Sequence, residues 1–210
     1  MDKFATEKNG ERLPVAEEFY SVQGEGCHTG LAAYFIRLAG CDVRCPFCDS
    51  KATWSVNGST PLAPVADIAA RAAASPCRNV VITGGEPLMH NLSPLCKALK
   101  ERGFSIWLET SGAHPLTGDF DWICVSPKAQ KPPLDEVLMK ANELKIIVSD
   151  AYESLTMARH YAERVHGDCA LLLQAEWDSR NETYRAIYNY VLQNPKWRIS
   201  IQTHKILNIR

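Results

Sequence analysis

Cys41, Cys45 and Cys48 stand on one short segment, Ala39-Gly40-Cys41-Asp42-Val43-Arg44-Cys45-Pro46-Phe47-Cys48-Asp49, directly after an apolar stretch of strand character. Thiolate ligands for iron–sulfur clusters normally come in fours. Three on one loop therefore suggest a cubane cluster with one iron left open, so that the missing ligand becomes a binding position for a small molecule. Spacing alone leaves two rivals. The same thiolates could hold Zn²⁺ with Cys27 or His28 as a fourth ligand, or enter a disulfide.

Polar residues of the right kind recur at the ends of apolar runs. Arg37 shares a strand face with Phe35 and Ala39, while Tyr34, Ile36 and Leu38 take the other. A guanidinium on the inner face of a core strand costs several kcal/mol of desolvation unless a carboxylate meets it. Its planar fork suits two-point carboxylate recognition, and that partner is either an internal glutamate or a bound ligand. Thr83-Gly84-Gly85-Glu86-Pro87, Glu109-Thr110-Ser111-Gly112, Ser126-Pro127-Lys128 and Gln174-Ala175-Glu176 close four further runs. The paired glycines let backbone approach a ligand closely, and Glu86 offers a carboxylate to an ammonium group. Each is also an ordinary turn or solvated strand end taken singly.

The elements that must carry these residues alternate. Six apolar runs of strand length, Ala33–Leu38, Asn79–Thr83, Ser105–Glu109, Trp122–Ser126, Leu144–Val148 and Leu171–Gln174, have the near-continuous hydrophobicity of strands covered on both faces. Helical spacing appears at Val65, Ile68, Ala69 and Ala72, at Leu92, Leu95, Cys96 and Leu99, and at Tyr184, Ile187, Tyr188 and Val191. A fourth helix begins at Asp150, with Glu153 completing a capping box and Ala151, Leu155, Ala158, Ala162 and Val165 along one face. Right-handed βαβ units and a parallel sheet follow. Six strands are too few for a closed eight-stranded barrel, so an α/β fold shaped as an open, partial barrel is expected, with its chemistry at the carboxyl ends of the strands.

The 210 residues, 46% of them apolar, read as a single domain over 1–210 with a polar lead-in at 1–16. Basic and acidic residues number 23 and 24, which gives no pull toward nucleic acid or membrane and favours a small-molecule partner. Neither a signal segment nor a membrane-length apolar run is present, so a cytoplasmic location is expected, where eight cysteines would remain reduced. Cys96 and Cys124 read as ordinary buried residues and Cys27, Cys77 and Cys169 as too scattered for a second ligand loop, so one cluster per chain is expected.

The C-x3-C-x2-C spacing is that of the radical S-adenosylmethionine (SAM) enzymes, in which the amino and carboxylate groups of SAM chelate the open iron. With Thr83-Gly84-Gly85-Glu86-Pro87 it identifies that superfamily, and the fold it implies is the six-stranded parallel β/α partial barrel of the radical SAM type. From about Glu17 onward the chain resembles the 7-carboxy-7-deazaguanine synthase family. Tyr20-Ser21-Val22-Gln23-Gly24-Glu25-Gly26, Arg37, Cys48-Asp49-Ser50, Trp54 and Gln202-Thr203-His204-Lys205 carry this narrower likeness.

The resemblance implies a lyase of queuosine and deazapurine biosynthesis that converts 6-carboxy-5,6,7,8-tetrahydropterin to 7-carboxy-7-deazaguanine with loss of ammonia. It implies a 4Fe-4S cluster, SAM used catalytically, Mg²⁺, an external electron donor of flavodoxin or ferredoxin type, and a homodimer. Cys41, Cys45 and Cys48 would ligate the cluster. Pro46, Phe47 and Cys48, with Gly85, Glu86, Ser126, Pro127, Lys128 and Gln174, would surround SAM. Val22, Gln23, Gly24, Arg37, Thr83 and His204 would meet the pterin, Arg37 at its carboxylate. Many members have threonine where Ser50 stands, and the serine hydroxyl supplies the same Mg²⁺ ligand oxygen, with Asp49 a second choice. Related chains often end in a Trp-Gly stretch, so a terminus that reached the pterin would do so here through Arg210. A rival enzyme reading is a glycyl-radical-enzyme activase with the same cluster and SAM; a non-enzyme reading is an electron carrier or zinc module.

Overall fold

The six apolar runs are six adjacent parallel strands of one sheet in the computed structural model, which describes residues 9–57 and 60–209. The strands are β1 (Arg12–Val22), β2 (Ala32–Leu38), β3 (Leu62–Pro64), β4 (Asn79–Gly84), β5 (Ser105–Thr110), β6 (Trp122–Val125), β7 (Glu143–Val148), β8 (Ala170–Ala175) and β9 (Trp197–Ser200). Their order is β3-β1-β2-β4-β5-β6-β7-β8-β9. The parallel block runs from β2 through β9, β1 is antiparallel to both β2 and β3, and the two edges β3 and β9 do not meet. The sheet is therefore an open barrel.

Three strands escaped the sequence reading. β1 begins at Arg12, inside the polar lead-in, and buries Leu13 and Val15 while its later residues are only half-buried. Its polarity follows from its position, with one face turned to a cavity rather than to packed side chains. β3 and β9 are edge strands of three and four residues, too short to show a period.

The outer face of the sheet packs under the helices α1 (Val65–Ala73), α2 (Ser93–Lys100), α3 (Asp135–Leu138), α4 (Ala151–Ala162) and α5 (Arg180–Gln193). Ile36, Leu38, Ile82, Ile106, Leu108, Leu144 and Ile146 meet Ile68, Leu95, Leu99 and Ile187 there, all fully buried. Each such side chain contributes roughly 1.5–3 kcal/mol of transfer free energy. The stripes of α1 and α2 face inward as their spacing requires. At α4, Asp150 accepts the N–H of Glu153 at 2.9 Å, a cap of about 1 kcal/mol. The α5 face is turned by about one residue from the expected stripe: Thr183, Ile187 and Tyr190 are buried and Tyr188 is exposed. The inner face holds a small plug of Ala33, Phe35, Val81 and Trp107. Above that plug, at the carboxyl ends of the strands, the bowl is polar.

Candidate active site

Backbone contacts fasten the cysteine loop to the strand ends. Gly40 (φ 101°) turns the chain after β2. Its N–H donates to Thr53 O at 2.7 Å, and that of Cys41 to Trp54 O at 3.1 Å. Across the loop, Gly85 N–H donates to Leu38 O and Glu86 N–H to Gly40 O, each at 2.9 Å. A Cβ on Gly85 would lie 2.3 Å from Gly40 O and 2.8 Å from Cys41 Cβ. The glycine pair thus lets β4 close onto the cysteine loop, and a side chain there would push the loop away. Arg44 adopts the left-handed region (φ 52°), a conformation that costs a non-glycine residue roughly 1–2 kcal/mol.

The sulfur environments fit a cluster. Cys48 Sγ accepts from Ser50 N–H at 3.4 Å and Trp54 Nε1–H at 3.3 Å, the kind of donors that tune cluster thiolates. Burial pushes the Cys41 and Cys45 thiols up, against the pull of backbone N–H groups of Arg44 and Val43 on Cys41 and of the Lys128 ammonium on Cys45. A zinc site would need a fourth ligand beside the three thiols. The suggested fourth ligands are engaged elsewhere, Cys27 Sγ with Arg198 at 2.9 Å and His28 stacked 3.9 Å from the Trp107 ring. All the cysteines are free, so the disulfide does not occur.

The three cysteines open into a cavity of about 310 Å³ that also has Val22, Gln23, Gly24, Arg37, Phe47, Ser50, Thr83, Gly85, Glu86, Ser126, Lys128, Gln174 and His204 in its wall. Pro46 and Pro127 are not in it. Along the loop buried and exposed residues alternate, which turns Pro46 to solvent, and Pro127 is buried behind the wall. Arg210 lies outside the described residues.

The internal partner of Arg37 is present. Glu17 stands opposite it across the β1–β2 pair and accepts from its Nε at 2.6 Å, while its Nη1 donates to Ser50 Oγ at 3.2 Å. Ser50 in turn donates to Asp49 Oδ1 at 3.2 Å, and Lys205 donates to Asp49 Oδ2 at 2.9 Å. The Ser50 hydroxyl thereby uses its proton and one lone pair, keeping the second lone pair for a cation.

Glu86 corrects an expectation. Its carboxylate accepts from Leu88 N–H (3.1 Å), Thr110 Oγ1–H (2.5 Å), and both the N–H (2.8 Å) and the hydroxyl of Ser111. With both oxygens occupied, Glu86 ties the end of β4 to the end of β5 and offers no free lone pair to an ammonium ion.

The largest omission is a charged network on the cavity floor. Lys145, 3% exposed on β7, donates to Glu25 at 2.8 Å and Glu109 at 3.0 Å. Gln23 donates to Glu109 at 3.3 Å, and Gln202 donates to Glu25 at 2.7 Å. Gln202 Oε1 is buried without a donor. Burial alone would raise Glu25, but Lys145 and the amide donors hold it down to about 2; burial raises Glu109, opposed by the same lysine. A lysine inside the apolar run of β7 was the available signal. The C-terminal helix α6 (Thr203–Leu207) completes the wall, with Thr203 N–H on Gly24 O at 2.9 Å and His204 packed where a Gly24 side chain would be.

Comparison with known proteins agrees with this geometry. Residues 22–114 match the family model described as a 4Fe-4S single cluster domain. Proteins named 7-carboxy-7-deazaguanine synthase are similar over nearly the whole chain. The one from Flavobacterium psychrophilum is 45% identical, covering 99% of this chain and 97% of its own length. The Synechocystis protein is 48% identical, covering 94% and 93%. The structure titled "Crystal structure of QueE from Escherichia coli" superposes with a TM-score of 0.81 at 32% identity, covering 95% of this chain and all of that one.

Proposed function

The chain belongs to the 7-carboxy-7-deazaguanine synthase family of radical SAM enzymes, and on that premise we propose how its cavity divides the work of the reaction. The enzyme converts 6-carboxy-5,6,7,8-tetrahydropterin to 7-carboxy-7-deazaguanine with loss of ammonia, in queuosine biosynthesis. The 4Fe-4S cluster and SAM supply the radical chemistry when bound; the polypeptide holds, orients and shields.

Cys41, Cys45 and Cys48 are the cluster ligands in this reading. Phe47, Gly85, Ser126, Lys128 and Gln174 form the SAM side of the wall. Lys128 donates to Ser126 O at 2.6 Å and Ser126 Oγ at 2.7 Å, fixing the strand end, and burial lowers its ammonium. Val22, Gln23, Gly24, Thr83 and His204 form the pterin side. Arg37 holds the substrate carboxylate with the N–H groups that Glu17 and Ser50 leave free, which fixes which ring carbon faces the adenosyl group. The remaining Ser50 lone pair would hold Mg²⁺, which when bound would supply Lewis-acid and template chemistry. The working enzyme is a cytoplasmic homodimer reduced by an external one-electron donor. No helix among the described residues is long and apolar enough to cross a membrane.

The observation that carries the reading is one cavity in which the three thiols and the Arg37–Ser50 pair face each other. Nothing in an activase, which acts on a protein, calls for an arginine held in this way. Under strict anaerobiosis, with dithionite, SAM and the carboxytetrahydropterin, deazaguanine product is expected by absorbance and mass. Arg37→Ala is expected to lower kcat/KM by roughly 10²–10³, the loss of a positioned charged contact of about 3–4 kcal/mol. Iron content and the spectral response to SAM should remain those of the parent. Loss of the cluster in that variant would contradict the assigned role.

A further inference from the structure

Two sides of the cavity are joined through a residue that lines neither. Ser200, 5% exposed on the edge strand β9, lies outside the cavity wall. Its hydroxyl accepts the N–H of Gly26 at 3.0 Å and donates to Gln174 Oε1 at 2.7 Å. In the reading above, Val22, Gln23 and Gly24 form the pterin side, and Gly26 continues the same loop. Gln174, the register partner of Ser200 across β8 and β9, stands on the SAM side. One hydroxyl therefore gives its proton to one ligand seat and a lone pair to the other.

The connection has little slack. Gln174, 2% exposed, also donates to the Glu25 carboxylate. Ser200, Gln174, Glu25 and the N–H of Gly26 thus form a closed ring of hydrogen bonds. The residues that follow Ser200 hold the same loop from another side: Gln202 donates to Glu25 at 2.7 Å, and the N–H and hydroxyl of Thr203 donate to Gly24 O at 2.9 and 3.0 Å. Behind the loop stands β7, so close that a Cβ on Gly26 (φ 70°) would lie 2.2 Å from Glu143 Oε1. A shift of the loop is therefore passed to the Ser200 hydroxyl, and through it to the Gln174 amide, rather than absorbed.

We propose that Ser200 is a positioning residue that couples the two ligand seats, so that pterin tightens the binding of SAM and SAM tightens the binding of pterin by the same factor. The proposal rests on the reading of the cavity given above and adds to it a residue that touches neither ligand. Its physical basis is shared ordering. A ligand seated on residues 22–24 fixes the Gly26 N–H, with it the Ser200 hydroxyl and the Gln174 amide, and the second ligand meets a wall already ordered. Without the hydroxyl, Gly26 and Gln174 lose their common partner and each seat orders alone.

The test reads the coupling itself. Holoenzyme is kept anaerobic and without reductant, so that SAM binds and is not cleaved, and the Kd of SAM is taken from the change it makes in the cluster spectrum. The titration is run without the carboxytetrahydropterin and again with it saturating, in the parent, Ser200→Ala and Ser200→Thr. With pterin present the parent is expected to bind SAM about tenfold or more tightly. In Ser200→Ala that ratio should fall to about twofold or less, while Ser200→Thr, which keeps the hydroxyl, should recover most of it. A purely structural role would weaken both affinities and leave their ratio alone. A parent-like ratio in Ser200→Ala, a parent ratio near one, or a loss in Ser200→Thr as complete as in Ser200→Ala would overturn the proposal. Failure of the parent to bind the pterin at all, with SAM still perturbing the cluster, would instead count against the reading of the cavity.

Discussion

Cys45→Ala is expected to reduce turnover by at least about 10⁴-fold, a barrier increase of roughly 5.5 kcal/mol or more. Because the cofactor supplies the chemistry, residual binding of the pterin cannot substitute for it. The fold should survive. Cys45 packs with Cys41, Val43 and Ala113 in a small cluster separate from the main core, and its loop is held by the backbone bonds to Leu38, Gly40, Thr53 and Trp54 carbonyls. Far-ultraviolet circular dichroism should match the parent while iron and sulfide content after anaerobic reconstitution fall sharply. Parent-like iron content with activity retained would show that the cluster is held elsewhere.

Lys145→Met carries the largest expected stability effect. Lys145 is the one cation between Glu25 and Glu109, and its side chain is 4% exposed against 20% and 22% for the carboxylates. Removing it leaves two carboxylates facing each other on a half-closed floor, a loss of roughly 3–5 kcal/mol, or a fall in Tm of about 10 °C for a chain of this size. The pH dependence identifies the cause. Glu25 is held down to about 2, below its ordinary value, so its stabilising share is complete above the usual carboxylate range and is lost as pH falls toward 2. Glu109 is raised and works in the opposite sense, gaining stability as it takes up a proton. In Lys145→Met the Glu25 share should be lost at higher pH, and adding Glu109→Gln should recover part of the deficit. A loss under 1 kcal/mol, or no recovery in the double variant, would refute the floor network as a coupled unit.

What the sequence made legible followed periodicity and short-range spacing. β2, β4, β5, β6, β7 and β8 were visible because strands covered on both faces read as unbroken apolar runs, and Asp150 was visible because a cap is a local contact. The cysteine loop and the Gly84–Gly85 pair were visible as motifs, and the glycines also seat the loop, which the motif alone did not reveal. β1 was hidden by its polar inner face, and β3 and β9 by shortness and edge position. The floor was hidden for a deeper reason: Glu25, Glu109 and Lys145 are far apart in sequence, and only the barrel's curvature sets them against one another. Glu86 was recognised as part of the site, but its saturation by Leu88, Thr110 and Ser111 is a tertiary fact that no spacing encodes.

The most direct measurement is Mössbauer spectroscopy of ⁵⁷Fe-enriched protein, frozen anaerobically with and without SAM. With three cysteine ligands supplied by the loop, one iron of the 4Fe-4S cluster is expected to change its isomer shift when SAM is added while the others keep theirs. A spectrum indifferent to SAM, with every iron in the same thiolate environment, would contradict an open position at Cys41, Cys45 and Cys48.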